Sequence, residues 1–420
     1  MNACGSPSRR ESQRYAATLR LALLLPILAG GQGAEAVEWT GRVSVLGSAA
    51  HPVAGDTGAD TPGVDTPTAD QQSLRLMAGN HGGDNEWSAH VATMRQKLRG
   101  FVAGGAHSSA LFRYRVLADS RTSGDGVQRF TRIGWEVDRA VYKRRFGRTG
   151  VSVGRQPIDW GSGRFWQPLN VFGAFAPTDL DTDYKPGIDA AVLNWYPSDF
   201  SSLTGVYALA PHDDASVKDS AALHYRRQAG ATSQIALVAG QVIGNKVLGA
   251  SLEGDARGVG WRIEGLHSRL EPTGERVLAW IAGLDYQFEN GALVSIEWYD
   301  NGRGARREAA LPRLSTDRLV THGLQQHLSR NVLGFAAQKD VTPLLRANYT
   351  LLISALKNAS GHRPASLLHQ LNLVYSVSNE SDLLLSLSNA SGQGLNKAQQ
   401  PQSEFGHLPA SATLRWRLYF

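Results

Sequence analysis

Ser411-Ala412-Thr413-Leu414-Arg415-Trp416-Arg417-Leu418-Tyr419-Phe420 is the last stretch of the sequence, and it alternates at every step. Ala412, Leu414, Trp416, Leu418 and Phe420 are apolar; Ser411, Thr413, Arg415, Arg417 and Tyr419 lie between them. A period of two describes a strand with one apolar and one wet face. Arginines on the wet face and aromatics at the strand end suit a wall between lipid and a polar lumen. A surface strand of a soluble sandwich alternates in the same way, so the rest of the chain has to decide.

The pattern recurs. Phe112, Tyr114 and Val116 face away from Arg113 and Arg115, and Ile133, Trp135 and Val137 from Arg132, Glu136 and Asp138. Val294, Ile296 and Trp298 oppose Ser295, Glu297 and Tyr299. Ala347, Tyr349, Leu351 and Ile353 oppose Arg346, Asn348, Thr350 and Ser354. The runs at Leu371–Val377 and Leu383–Leu387 behave alike. Short turn signals separate them, such as His81-Gly82-Gly83-Asp84-Asn85, Gly254-Asp255 and Glu289-Asn290-Gly291. Longer polar stretches fall at 51–70, 157–187, 301–329 and 391–409. Short turns on one rim and long loops on the other are the asymmetry of outer-membrane barrels. No repeat of about 40–50 residues supports a propeller, and the runs lack the two-sided apolar strands of a large sandwich core.

At the other end, Arg9, Arg10, Arg14 and Arg20 precede the apolar run Leu21–Ala29 and the small-residue site Ala34-Glu35-Ala36. That order predicts a secretory signal peptide over 1–36, cleaved before Val37. The apolar run is far shorter than the ~20 residues a membrane-spanning helix needs. Glu11-Ser12-Gln13 after the arginine pair argues against the twin-arginine route. Cys4 is the only cysteine, so the exported chain, 37–420, would be stabilised without disulfides. Loss of four Arg and two Glu takes the formal charge from +6 to +4. With no Lys/Arg block or aromatic-basic stripe, nucleic acid is not an expected partner.

No stretch after residue 36 has 18 consecutive apolar residues, so no spanning helix is expected. Helices and closed barrels are the two architectures that satisfy the backbone in lipid. The expected fold is therefore all-β: one transmembrane antiparallel barrel of about 16 strands (14–18), at the ~9–11 residues each that a tilted strand needs. The 45 Gly, 10 Trp, 12 Tyr and 12 Phe fit a turn-rich sheet with aromatic girdles.

Residues 154–189 break the alternation. Prolines 157, 168, 177 and 186 and glycines 161, 163, 173 and 187 rule out a ladder strand. Trp160, Phe165, Trp166, Phe172, Phe175 and Tyr184 are too many aromatics for a solvated loop. Folded into or across the pore, the segment would place Arg155, Asp159, Arg164, Asp181, Asp183, Lys185 and Asp189 as constriction candidates. They would lie beside the lumen candidates Arg113, Arg115, Arg346, Arg415 and Arg417. Asp179, Asp181 and Asp183 alternate like the opening of a calcium loop, but Tyr184 and Ala190 stand where an EF-hand needs Gly and Glu. Pairing of these carboxylates with Arg155, Arg164 or Lys185 is the simpler expectation, and no metal or cofactor is expected. Catalysis finds no footing: there is no G-x-S-x-G elbow and no H-E-x-x-H pair. His267-Ser268 would point to opposite faces of a strand.

The block Gly154-Arg155-Gln156, Trp160-Gly161-Ser162-Gly163, Pro168-Leu169-Asn170-Val171-Phe172 and Tyr184-Lys185-Pro186-Gly187-Ile188-Asp189 resembles a poorly characterised proteobacterial family of porin-like outer-membrane barrels. That family distantly resembles alginate-export barrels, and Glu297–Gly302 and Asp340–Leu345 look like its later blocks. The C-terminus likewise resembles the closing strand of such barrels, whose final Phe is read by the assembly machinery. The resemblance implies that Trp416, Leu418 and Phe420 form an assembly signal, and that outer-membrane lipid and lipopolysaccharide surround the chain. The expected function is a channel for small, anionic solutes; a polymer-export barrel, a structural barrel and an outer-membrane hydrolase are the alternatives.

Overall fold

The computed structural model describes residues 36–51, 66–100, 108–124, 129–271, 273–321 and 324–420. The expected signal peptide, except for Ala36, lies outside these residues, as does most of the 51–70 stretch. The strands are β1 Glu38–His51, β2 Thr68–Asn80, β3 Asn85–Arg99, β4 Ala118–Gly124, β5 Arg129–Phe146, β6 Thr149–Gln156 and β7 Ile188–Ser198. They continue with β8 Ser201–Ala208, β9 Ser220–Ala229, β10 Ser233–Val242, β11 Asn245–Ala256, β12 Val259–Arg269 and β13 Arg276–Gln287. The set ends with β14 Leu293–Asn301, β15 Asn331–Thr342, β16 Leu345–Ala355, β17 Ala365–Ser378, β18 Ser381–Ser391 and β19 Ala410–Tyr419.

Neighbours pair antiparallel around a single sheet, and β1 pairs with β19 to close it, from Arg42↔Tyr419 to His51↔Ala410. Phe420 extends this seam, exchanging backbone hydrogen bonds with Gly41. Eighteen strands make the wall, the upper end of the expected range, and β4 is extra. Short β4 covers Phe130–Glu136 of β5 on the edge where β6 covers Ala140–Phe146. Closure through β1 and β19 makes the wall continuous, which is what lipid demands.

One expected strand is not there. Ser108–Phe112 is a turn of 3-10 helix, and Arg113–Leu117 is an irregular link into β4. The three apolar residues of that run do not share one face: Phe112 belongs to the interior core, whereas Tyr114 and Val116 are exposed. A five-residue alternation is too short to distinguish a strand from an irregular link.

The chain passes through short turns at 81–84, 147–148, 199–200, 257–258, 343–344 and 379–380, all on the rim that carries Glu38 and Phe420. Long connections, 157–187, 302–330 and 392–409 among them, leave from the opposite rim. Outward residues such as Val45, Leu76, Ile133, Leu193, Leu248, Ile263, Leu284 and Leu414 are exposed and apolar. Such a ring would be unstable in water and is suited to hydrocarbon.

Candidate functional site

Inside the wall lies the 157–187 segment. Its apolar side chains divide between two clusters, each completed by inward residues of the wall. Ile158, Trp160, Leu169, Val171 and Phe172 pack with Ile188, Val192, Val206, Val238 and Val247 of β7–β11. Phe165 and Trp166 pack with Ile281, Tyr299, Val332, Leu352 and Leu368 of β13–β17, and with Phe405 from an outer loop. Full burial of a side chain of this size contributes roughly 1.5–3 kcal/mol, enough to offset ordering of an irregular segment. The wall provides sockets: a side chain at Gly249 would strike Leu169, and one at Gly334 would strike Phe165.

Two glutamates catch the segment's backbone. Glu297 on β14 accepts from the N–H groups of Arg164 (2.9 Å), Phe165 (3.1 Å) and Trp166 (3.0 Å). Glu264 on β12 accepts from Ser162 N (2.6 Å), Ser162 Oγ (3.0 Å) and Leu169 N (2.6 Å). Both side chains are completely enclosed. An irregular backbone at membrane depth must be satisfied by protein, and these carboxylates do it.

The opposite edge of the segment is acidic and meets arginines from β1, β2 and β19. Arg42 binds Asp181 with both terminal nitrogens (2.7 Å each) and Asp183 (2.7 Å). Asp183 also accepts from Arg417 and Tyr419, both at 2.6 Å. Burial opposes ionisation of Asp183, but the hydrogen bond from Tyr419 and the charges of Arg417 and Arg42 hold its carboxyl below the usual range. Arg415 donates to Leu180 O. The Tyr184 ring has Arg42 at 4.9 Å and Arg75 at 4.6 Å from its centroid.

A β-bulge adds the last anchor. Pairing passes from His90↔Arg139 to Val91↔Val137, leaving Asp138 as the extra residue, so Asp138 and Arg139 both point inward. Asp138 accepts from Arg75 (2.6 Å), Arg113 (3.2 Å) and Gly187 N (3.4 Å).

The predicted constriction residues therefore separate into distinct positions. Arg155 of β6 and Asp189 of β7 are cross-strand partners (2.7 and 2.8 Å) that clamp the two ends of the segment together. Arg155, 3 % exposed, spends its remaining donors on Val137 O and Arg115 O. Asp159 pairs with Lys185 at 2.7 Å, and Arg164 is exposed. Asp181 and Asp183 face the arginine wall as described. Among the lumen candidates, Arg415 and Arg417 belong to that wall, whereas Arg113 lies on the link before β4. Arg115 is likewise on that link, and Arg346 is an inward residue at the short-turn rim, paired with Asp340 at 2.7 Å. Trp416 and Leu418 lie on the lipid face, with Phe420 beside Gly41. Arg42, Arg75, Asp138, Glu264 and Tyr419 were not singled out from the sequence. Asp179 caps Ala176 N at 2.7 Å, and no cluster able to hold a metal occurs among the described residues.

Between the acidic edge and the wall of β1, β2, β3 and β5 remains a cavity of about 400 Å³. Arg42, Arg75, Arg132, Glu136, Asp181, Tyr184 and Lys185 line it. On the other side of the segment the space is smaller, about 180 Å³, and lined by Val247, Leu266, Leu270 and other apolar groups. The inner segment thus packs against β7–β17 and leaves a charged cavity beside β1, β2, β3 and β5.

The same segment is tied to the outer loops. Trp166 Nε1 donates to His327 Nε2 (2.8 Å), so the neutral ring's proton lies on Nδ1, which faces Glu404 at 2.9 Å. Leu328 N and Ser329 N also donate to Glu404, at 3.2 and 2.6 Å. Burial would raise the Glu404 carboxyl, but His327 and Ser329 outweigh it and hold it below the ordinary range. A depressed folded pKa gives stability that is complete above the unfolded value, about 4.3, and is lost as pH falls through the folded one. Hydrogen exchange at Leu328 and Ser329 should therefore be slow at pH 6 and lose protection below about pH 4. Equal protection at both values, corrected for intrinsic exchange, would refute this role for Glu404.

No family model and no curated protein matches the sequence. Solved structures do match its fold. Acinetobacter baumannii OccAB4 superposes with a TM-score of 0.59 at 11 % identity, over 93 % of this chain and 99 % of that one. A BenF-like porin from Pseudomonas fluorescens Pf-5 gives 0.55 at 12 %, over 91 % and 98 %. Pseudomonas aeruginosa OpdK, solved with vanillate, gives 0.53 at 10 %, over 91 % and 98 %. The fold is that of porin-type barrels, and a closed barrel with this apolar exterior is a protein of the bacterial outer membrane.

Proposed function

We propose that the barrel is a non-enzymatic channel passing small anionic solutes through the passage between the inner segment and the arginine wall. One observation carries the reading: the inner segment packs against β7–β17 and leaves a charged cavity of about 400 Å³ beside β1, β2, β3 and β5. Around the cavity, Arg42, Arg75, Arg113 and Arg417 are matched by Asp138, Asp181, Asp183 and Asp382. Arg132, Arg139 and Arg415 form no ion pair among the described residues; Glu136, 3.5 Å from Arg113, and Asp119 and Asp179 are the further acids at the cavity. Guanidinium groups without an ion-pair partner favour anions, and opposed rows of charge give a transverse field across the constriction. A passage of this size suits a small solute better than the polysaccharide that resemblance to alginate-export barrels implies. Export under the 1–36 signal belongs to the same reading, with Val37 as the first residue of the mature chain.

Planar-bilayer recording of the purified protein, whose N-terminal sequence should start at Val37, tests this. The intact barrel should give a steady anion-selective conductance, which rises severalfold when residues 160–183 are deleted. Silence from correctly folded barrels, before and after deletion, would overturn the channel.

A further inference from the structure

The registers Lys246↔Arg269 and Arg269↔Arg276 place three cations side by side across β11, β12 and β13. They point away from the lumen, because their neighbours Val247 and Leu270 are buried inside. All three are exposed, and none forms an ion pair among the described residues. Like charges directly opposite on neighbouring strands destabilise a sheet. The carboxylates closest in sequence are already engaged: Glu271 with Lys218, and Glu275 with Arg303 at 3.9 Å. No ion-pair partner among the described residues offsets the row.

Its height identifies what does. The next outward rung, Leu248, His267 and Leu278, begins an apolar column that ends at Tyr286 near the short-turn rim. Along the 11 residues of β12, Val259–Arg269, at ~3.3 Å per step and a tilt of ~40°, the cationic row stands roughly 25 Å above the short-turn end of the column, the height of the lipid belt. The row therefore meets the outer-leaflet headgroups on the long-loop rim. Spanning three strands, it is about 10 Å wide, which fits a headgroup with two phosphates better than one with a single phosphate.

We infer that Lys246, Arg269 and Arg276 form a site on the barrel exterior for the phosphorylated disaccharide headgroup of an outer-leaflet glycolipid, lipid A. The arginine forks bind phosphate oxygens bidentately, and lysine adds a point charge. This site is independent of the lumen.

Delipidated barrel in detergent, titrated with bisphosphorylated lipid A, monophosphoryl lipid A or phosphatidylglycerol and read by native mass spectrometry, tests it. Bisphosphorylated lipid A should bind tightest. At about fivefold per cation, K246Q/R269Q/R276Q should weaken it about a hundredfold. Arg269→Gln alone should weaken it about fivefold and decides the matter where the triple variant does not fold. Unchanged affinity in the folded triple variant would overturn the site, as would phosphatidylglycerol binding as tightly as lipid A. Conductance should be the same with and without the three substitutions, so this site and the channel can fail separately.

Discussion

Replacing Glu264 and Glu297 together by alanine should turn a steady conductance into a larger and noisy one. Each carboxylate accepts three hydrogen bonds from the inner segment, at 2.6–3.1 Å. Hydrogen bonds to a charged group are worth roughly 1.5–3 kcal/mol each, and five of the six donors are backbone N–H groups with no other partner at that depth. Losing both carboxylates removes several kcal/mol from the docked state. It also leaves Arg262 without its Glu297 contact at 3.8 Å, although Asp285 still pairs with it. The apolar clusters and the clamp at Arg155–Asp189 remain, so the segment should stay tethered while its tip leaves the wall. Current traces should then show opening to several times the parent conductance, with flicker. Glu→Gln at both sites keeps an acceptor oxygen at each and should give an intermediate trace. A double-alanine barrel with parent conductance and parent noise would show that the glutamates do not position the constriction.

How much of this could be read beforehand depended on which residues carried the signal. The dyad in Ser411–Phe420 fixed which face of β19 is wet, and Arg415 and Arg417 do project inward. The long polar stretches at 157–187, 301–329 and 391–409 match three connections of one rim nearly residue for residue. Aromatic residues in a proline-broken segment correctly required a packed interior position, because exposed aromatics would have cost too much. Partners were harder to see. Arg155, predicted beside the pore, is locked to Asp189 by a cross-strand register that sequence alone does not give. Glu264 and Glu297 look like any polar residue on the wet face of a strand; their role comes from a backbone more than 90 residues away. Asp138 reaches its site because a bulge adds one residue to β5, and alternation cannot announce its own interruption.

Pairing also decides which arginine sets selectivity, and this leads to the second large effect. Arg346 and Arg132 look equivalent in sequence, each on the wet face of an alternating run. Arg346 is neutralised by Asp340 at 2.7 Å on the short-turn rim, away from the inner segment. Arg132 is exposed, lines the 400 Å³ passage and forms no ion pair among the described residues. Arg132→Glu changes the local charge by two. At about 7 Å in water each unit shifts an ion's energy by roughly 0.6 kcal/mol, with opposite signs for anion and cation. Screening with a Debye length of about 8 Å reduces the combined effect to about 1 kcal/mol. The anion-to-cation permeability ratio, taken from reversal potentials in a salt gradient, should therefore fall about fivefold. Arg346→Glu should leave it nearly unchanged, since the wide short-turn rim is well hydrated and far from the constriction. Equal shifts from the two variants would mean that selectivity follows total lumen charge and not the passage beside the inner segment. That outcome would transfer the control of permeation from the Asp181–Lys185 edge to the barrel as a whole.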